Sequence, residues 1–152
     1  MSLDPTDIRL LALLQADGQM TAEALARQLN LSPSQAGRRR ARLEADGYIE
    51  GYRARVSPDK VGLSVQAFVQ IQITGYKADE IQSLLRIVAL RSEITAAWTL
   101  TGQADYLLRV YCENLAALNL LIQETLLPHP AVARVESQIV MDHLKADAPL
   151  PL

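Results

Sequence analysis

The sequence predicts an α+β protein of two domains, in which three helices precede a β-α-β-β-α-β segment. Two periodicities predict this division. Up to about residue 47, apolar residues recur at the three- and four-residue spacing of a helix face. From residue 64 onward, helical segments lie between segments that alternate apolar and polar residues, as half-buried strands do. The order of elements in the second half is that of the ferredoxin-like fold.

This change of pattern sets the expected domain boundaries. Residues 1–56 should form the first domain, including a segment at 48–56 that reads equally well as a short β-wing or as a plain linker strand. Residues 57–147 should form the second domain. The last residues, 148–152, read A-P-L-P-L and are expected to be a flexible tail.

The first two helices are delimited by residues that favour helix ends. The first is expected between Leu3 and Gly18, because Asp4 can cap it and the glycine can end it. The second should cover Ala22 to Leu29, and the residue that follows, Asn30, tolerates the left-handed conformation of a tight turn. The predicted inward stripe of the first helix consists of Leu10, Leu11 and Leu14.

A third helix is predicted from Ser32 to Gly47. Ser32 can cap it, Pro33 suits its first position, and Gln35 can complete a capping box. At 100° per residue, four polar side chains then fall on one stripe: Gln35, Arg38, Arg39 and Arg42.

Two interpretations of this stripe compete. Charged runs are usually solvated helix faces, whereas a capped basic helix that follows a short turn is typical of the recognition helix in a helix-turn-helix. The preceding helix and turn favour the second interpretation. Arginine is also concentrated here, since 32–55 holds six arginines against three acids. The predicted DNA-binding residues are Ser32, Ser34, Gln35, Arg38, Arg39 and Arg42.

Composition excludes several other classes of protein. The net charge of −2 gives no whole-chain argument for nucleic acid, and the single Cys112 excludes an internal disulfide and favours a reducing compartment. No apolar run approaches membrane-spanning length and no signal-peptide pattern is present, so we expect a cytoplasmic protein with no membrane partner. Neither a phosphate-binding glycine loop nor a catalytic grouping is recognisable. We therefore expect no enzymatic activity, no metal and no cofactor.

In the second domain, the alternating segments predict a sheet with two different faces. Helices should cover one face, and the other should be exposed or packed on another sheet, which makes sheet-on-sheet dimerisation plausible through Phe68, Trp98 and the glutamines. The expected elements are strands at Ser64–Thr74, Ile94–Leu100, Asp105–Cys112 and Val132–Leu144, and helices at Lys77–Leu90 and from Asn114 to about Leu127.

Several short segments, in this order, carry a resemblance to a known family. They read L-D-P-T-D from Leu3, L-Q-A-D-G from Leu14, L-S-P-S-Q from Leu31, R-L-E-A-D-G-Y-I-E-G-Y from Arg42, T-G-Q-A-D-Y-L-L from Thr101 and L-L-P-H-P-A-V from Leu126. Together they resemble the Lrp/AsnC family, the feast/famine regulators. The resemblance implies a DNA-binding first domain. It also implies a second domain that dimerises, assembles further, often to octamers, and binds an amino-acid effector between dimers.

The resemblance places that effector around a glycine turn. Gly102 permits a turn whose free N–H groups can hold a carboxylate. Asp105 either meets the ligand's ammonium or bonds to the turn backbone, and the residues alone favour the backbone role. Ser137, on the last strand, is carried over from the family as a contact on a second wall. The full predicted set is Thr101, Gly102, Gln103, Asp105, Tyr106 and Ser137.

One departure from the family pattern is Arg40, which stands where an apolar residue is usual. It should either extend its charged end out of the packing face or find a carboxylate. The function that these observations predict is a sequence-specific transcriptional regulator of double-stranded DNA that responds to a small effector. The alternative is an architectural DNA-binding protein that needs no effector. An enzyme with a regulatory ferredoxin-like domain is disfavoured.

Overall fold

A computed structural model describes residues 3–75 and 77–152, so the first two residues of the predicted first domain lie outside it. The chain divides into two compact units. One contains residues 3–55 and 144–152, and the other contains residues 56–143. The predicted α+β fold class is confirmed, with a three-helix unit and a four-stranded antiparallel sheet. Within the described ranges, no helix is both long and apolar enough to cross a membrane.

The three helices of the first unit begin where their caps are predicted. They are α1 (Pro5–Ala16), α2 (Ala22–Leu29) and α3 (Pro33–Ala45). In α3, the Gln35 N–H donates to Ser32 Oγ at 3.2 Å and the Ser32 N–H donates to Gln35 Oε1 at 2.9 Å, which closes the predicted capping box. Asn30 has φ 55°, so the turn between α2 and α3 uses the left-handed conformation that was expected.

The core of the first unit is aliphatic and lies where the three helices meet. Leu10, Leu25 and Leu43 supply one fully buried side chain from each helix. Around them pack further buried residues, namely Leu11, Leu14, Ala26, Leu29 and Ala36. The predicted inward stripe of α1 is therefore confirmed.

The segment after α3 does not form the predicted wing. Residues 48–56 contain no strand, neither as a hairpin wing nor as a linker strand. The physical reason lies in the hydrogen bonds at the end of α3. The N–H groups of Tyr48 and Ile49 both donate to Leu43 O, at 2.9 and 3.2 Å, so they close the helix instead of pairing with another strand.

The C-terminal residues, expected to be a flexible tail, are hydrogen-bonded to α1. The Gln15 side chain donates to Leu150 O at 3.2 Å and accepts from the Leu150 N–H at 2.6 Å, which satisfies both backbone groups of that residue. Leu150 and Leu152 line a cleft of about 350 Å³ together with Leu11, Leu14 and Tyr52. Sequence reasoning missed this contact because it depends on a distant glutamine rather than on a local pattern.

The second unit begins with a short 3₁₀ helix at Asp59–Val61 and contains one antiparallel sheet in the order β2-β3-β1-β4. This is the strand order that the ferredoxin-like prediction requires. Its strands are β1 (Val65–Ile73), β2 (Ile94–Thr99), β3 (Tyr106–Cys112) and β4 (Val132–Ile139). Its helices are α4 (Ala78–Leu90) and α5 (Leu115–Leu120), which continues as a π-helical turn at Leu121–Leu126.

The two faces of this sheet differ as the alternation predicts. Ala67, Val69 and Ile71 are fully buried and pack with Leu84, Leu118 and Leu126 from the helices. On the opposite face, Trp98 is 44% exposed and Phe68 is half-buried. The register places Phe68 between Arg109 and Gln138, and Trp98 opposite Leu107. This face therefore mixes aromatic and polar side chains, and no helix of the described chain packs on it.

Candidate functional site

The exposed face of α3 gathers the predicted DNA-binding stripe into one shallow cleft of about 270 Å³. Its walls are Gln35, Arg38, Arg39 and Arg42, with Leu31 at the preceding turn. Ser32 and Ser34 are exposed in the first turn of the same helix. The structure thus brings Gln35, Arg38, Arg39 and Arg42 to one side of α3, with Ser32 and Ser34 at its N-terminal end.

Two arginines of this stripe are paired with carboxylates of α1. Arg39 Nη1 lies 2.6 Å from Asp4 Oδ2 and 2.7 Å from Asp7 Oδ1. Arg42 Nη2 lies 2.5 Å from Asp7 Oδ2. Each oxygen of Asp7 therefore accepts from a different guanidinium, and the pairs connect α1 to α3.

Asp7 is the member of this ion-pair cluster that the sequence analysis did not single out. It is only 1% exposed, and it is the one buried charged residue in the described chain. A signal for it exists, because Asp7 lies three, four and seven residues before Leu10, Leu11 and Leu14 and so falls on their inward stripe. An acid on a buried stripe needs a cationic partner, since an unpaired buried charge is strongly destabilising.

The other predicted residues have different partners. Arg38 is exposed and makes no ion pair within residues 3–75 and 77–152. The Gln35 side chain is engaged in the helix cap through its Oε1, which leaves its amide N–H₂ directed away from that bond. Of the cleft arginines, Arg38 is therefore the one whose whole guanidinium is available to an external anion.

Arg40, at the usually apolar position, finds a carboxylate as expected. Its Nε lies 3.0 Å from Glu44 Oε1, its Nη1 donates to Met20 O at 3.0 Å, and its guanidinium lies 4.7 Å from the centre of the Tyr52 ring. The Tyr52 hydroxyl donates to the same Glu44 oxygen at 2.9 Å. The ring also lies close to Gly18, where a Cβ would come within 3.0 Å of it. Arg40 thus connects α3 to the segment that follows it and does not line the cleft.

These ion pairs lower the pKa values of two of their carboxylates, Asp4 and Glu44. The hydrogen bond from Arg39, supported by the Asp7 N–H, holds the pKa of Asp4 below its ordinary value of 3.8. The hydrogen bond from Arg40, followed by that from Tyr52, holds the pKa of Glu44 below its ordinary value of 4.5. Both carboxylates are therefore favoured in their charged form by the folded state.

The predicted effector turn is held by Asp105. Its Oδ2 accepts from the Ile73 N–H at 2.9 Å, and its own N–H donates to Ile71 O at 2.9 Å. Asp105 thus bonds to the backbone of β1, and not to the turn backbone that the residues alone favoured. Gly102 has φ 119°, a conformation that suits glycine and strains other residues.

Beside this turn lies a polar concavity of about 40 Å³. It is lined by Gln103 and Ala104 from the turn, Gln70 and Gln72 from β1, and Arg134 and Glu136 from β4. The structure does not bring Ser137 or Tyr106 into it. Ser137 pairs with Val69 and Tyr106 with Ile71, so both point to the helix-covered side of the sheet. Thr101 is exposed within the turn itself.

The cysteine and one of the histidines have structural roles in the fold. Cys112 is buried in β3, and burial raises the pKa of its thiol. His129 Nδ1 accepts from the Ala131 N–H at 3.2 Å in the turn before β4. In the part of the chain that the structure describes, no three His, Cys, Asp or Glu residues are grouped so as to hold a metal ion.

Two models of known protein families match the chain, one in each half. The winged helix-turn-helix DNA-binding family model matches residues 3–50, and the Lrp/AsnC ligand binding domain model matches residues 66–150. The chain belongs to the Lrp/AsnC family. It is a DNA-binding transcriptional regulator with a ligand-binding domain, and this match favours an effector-responsive regulator over an effector-independent architectural protein.

Individual Lrp/AsnC relatives are similar over nearly their whole length. The DNA-binding transcriptional activator DecR of Escherichia coli (strain K12) is 31% identical over 150 residues, which are 99% of each chain. The leucine-responsive regulatory protein of Salmonella typhimurium is 32% identical over 94% of this chain and 87% of its own. A transcriptional regulator of Neisseria meningitidis, solved as a complex with L-Met, has a TM-score of 0.94 and 34% identity over 99% of this chain and 97% of its own.

The lowered pKa values of Asp4 and Glu44 predict how stability depends on pH. Because each folded-state pKa lies below its ordinary value, the stabilisation is present above pH 3.8 and 4.5 respectively and is lost as the pH falls through the lower folded values. We expect the free energy of unfolding, measured by denaturant titration from pH 7 to 3, to fall less steeply in the double variant Asp4→Asn, Glu44→Gln than in the wild type. Asparagine keeps the helix cap.

The matched control for this experiment is Glu50→Gln, which removes an exposed acid after α3 and should leave the pH profile of the wild type unchanged. Parallel profiles for the wild type and the double variant would show that these two ion pairs do not contribute to stability.

Proposed function

We propose that the cleft on α3 is the surface that contacts DNA, with Arg38 as its principal cation. The observation that carries this proposal is a capped, exposed helix after a left-handed turn whose outward arginine has no partner in the described chain. Recognition helices of this motif enter the major groove with their N-terminal residues, which here are Ser32, Ser34 and Gln35. Arginine pairs with guanine edges or with phosphates in such a groove.

Replacing Arg38 separates DNA binding from stability. We expect Arg38→Ala to weaken operator binding while the melting temperature stays unchanged, because the side chain is exposed and makes no ion pair with the described residues. If Arg38 contacts guanine, the loss should be about 1–3 kcal/mol and depend on the base at one position. If it contacts phosphate, all sequences should lose affinity alike and the salt slope should fall by about one.

The matched control is Arg86→Ala, which removes an exposed arginine from α4 in the second unit. Binding should be measured by fluorescence anisotropy at several salt concentrations. An Arg38→Ala protein that binds its operator with wild-type affinity would refute the proposed DNA face.

We further propose that the protein acts as a dimer or a larger even-numbered assembly, with octamers as the form implied by the family resemblance. The support is the open sheet face that carries Phe68 and Trp98. A second copy of the sheet would cover these aromatic rings. Two-fold pairing would also present two recognition helices to a two-fold operator.

Placing a charge in this face should prevent assembly. We expect Phe68→Glu to shift the sedimentation coefficient at micromolar concentration from that of an assembly to that of a monomer, since a carboxylate in place of the ring would have to lose its hydration at the interface. The control is Leu90→Glu at the end of α4, where the side chain is 79% exposed and the wild-type assembly should persist. A wild-type protein that sediments as a stable monomer would refute the proposal.

We also propose that the effector is an amino acid and that it binds at the turn formed by residues 101–105. The regulator of Neisseria meningitidis that resembles this chain was solved with L-Met. The concavity beside the turn offers a matching pair of charges, because Arg134 can hold a carboxylate and Glu136 an ammonium. The two side chains form an ion pair, with Arg134 Nη2 2.7 Å from Glu136 Oε1. A cavity of about 40 Å³ is smaller than ligand pockets of roughly 300–1,000 Å³, so a second copy should complete it.

Calorimetry with each of the twenty amino acids, starting with L-Met, tests the effector site. Gly102→Val should strain the turn at φ 119°, and Asp105→Ala should remove the side-chain hydrogen bond that ties the turn to Ile73 of β1, so both variants should bind the ligand at least about tenfold more weakly. The control is Asp79→Ala, which removes an exposed acid from α4.

Two outcomes would contradict this proposal differently. A ligand that both turn variants bind with wild-type affinity would place the site elsewhere. Failure of every amino acid to bind would refute an amino-acid effector and favour the effector-independent architectural role. We propose that the protein works in the cytoplasm, where its DNA lies, and acts by binding alone, without catalysing a reaction.

A further inference from the structure

The net positive charge on the DNA-facing side of α3 is smaller than the number of its arginines suggests. Asp4 and Asp7 from α1 pair with Arg39 and Arg42, so these four side chains carry no net charge together. The pairs leave Arg38 as the uncompensated arginine of the cleft within the described chain. A helix rich in arginine therefore presents a much weaker positive field than its sequence implies.

The paired arginines nevertheless keep most of their hydrogen-bond donors. A guanidinium has five N–H donors in a planar fork. In the described chain, Arg39 reaches both carboxylates through Nη1 alone, and Arg42 reaches Asp7 through Nη2 alone. The remaining N–H groups of both side chains are left for another acceptor, and both side chains line the cleft.

We propose that Asp7, assisted by Asp4, is a specificity-determining positioning residue of the DNA interface. It cancels the charge of Arg39 and Arg42 while holding their guanidinium groups in fixed directions. This inference rests on the proposed DNA contact of the α3 cleft.

The argument follows from the two kinds of DNA contact. Attraction to phosphates depends on net positive charge through counterion release and does not distinguish sequences. Base readout depends on N–H donors held in fixed directions at the base edges. Pairing with a buried carboxylate weakens the attraction to phosphates, because the ion pair has no net charge. It keeps the base readout, because the guanidinium retains its oriented N–H donors. The burial of Asp7 matters here, since only a fixed partner can fix the arginines.

The test compares two DNA duplexes at several salt concentrations. One is selected by the full-length wild-type protein from a random pool, and the other is a scrambled duplex of the same base composition. Asp7→Asn keeps the size and the hydrogen-bond acceptor of the side chain but removes its charge. On the scrambled duplex, the slope of log affinity against log salt concentration should steepen by about 0.9. For each tenfold drop in salt, the variant should therefore gain about eightfold more affinity than the wild type gains. On the selected duplex, release of the arginines should raise the affinity of the protein less than on the scrambled duplex, or lower it.

The ratio of the two affinities is the deciding readout. We expect Asp7→Asn to lower it at least about fivefold, the lower end of what one bidentate base contact contributes. Asp4→Asn should lower it by a smaller factor. This second variant removes a partly exposed carboxylate that pairs with Arg39 alone, so it provides a test if Asp7→Asn does not fold. The control Asp46→Asn removes one exposed negative charge from the end of α3 without touching either arginine and should leave the ratio unchanged.

The outcomes separate this inference from the proposal on which it rests. A ratio and salt slope that stay at wild-type values in both Asp7→Asn and Asp4→Asn, while Arg38→Ala weakens binding, would overturn the inference alone. Unchanged binding in Arg38→Ala would instead overturn the proposed DNA face, and the inference with it.

Discussion

The buried carboxylate of Asp7 is the constraint on which the DNA-binding unit depends. A charge that is 1% exposed is stable only when it is paired and hydrogen-bonded, and both of its oxygens are satisfied by arginines of α3. Because Asp7 also accepts from the Asp4 N–H at the start of α1, the same residue serves a helix cap and a bridge between helices. The orientation of α3, and with it the direction of its exposed arginines, thus follows from an ion-pair network and not from aliphatic packing alone.

The second unit depends on a different feature, a sheet of which helices cover only one face. Its aliphatic core forms entirely between the sheet and the helices, so the opposite face keeps aromatic and amide side chains that no helix of the described chain covers. The glycine turn and the Arg134–Glu136 pair lie on or beside this uncovered face. The proposed assembly surface and the proposed effector site are therefore neighbours, which would give a physical basis for coupling between them, since an effector acts only through differential affinity for two assembly states.

Local sequence patterns predicted much of the fold because caps, stripes and strand alternation are encoded within a few residues. Ser32 with Gln35, Asn30, and the buried alternation at Ala67, Val69 and Ile71 are all of this kind. The features that the sequence analysis did not predict depend on residues that are distant in sequence. Pairing of Ser137 with Val69 sets the face on which the serine lies, and no local pattern fixes that register. Arginines on an outward stripe look available in a helical projection, and only the fold shows that two of them meet acids of α1.

The most direct test of the central claim is the mobility of the arginine side chains themselves. ¹⁵N relaxation of the Nε–H groups reports the order parameter of each guanidinium in the free protein. The account predicts ordered groups for Arg39 and Arg42 and a mobile one for Arg38 in the wild type. In Asp7→Asn, Arg42 should become as mobile as Arg38. Equal mobility of all three arginines in the wild type would contradict the claim that Asp7 holds them.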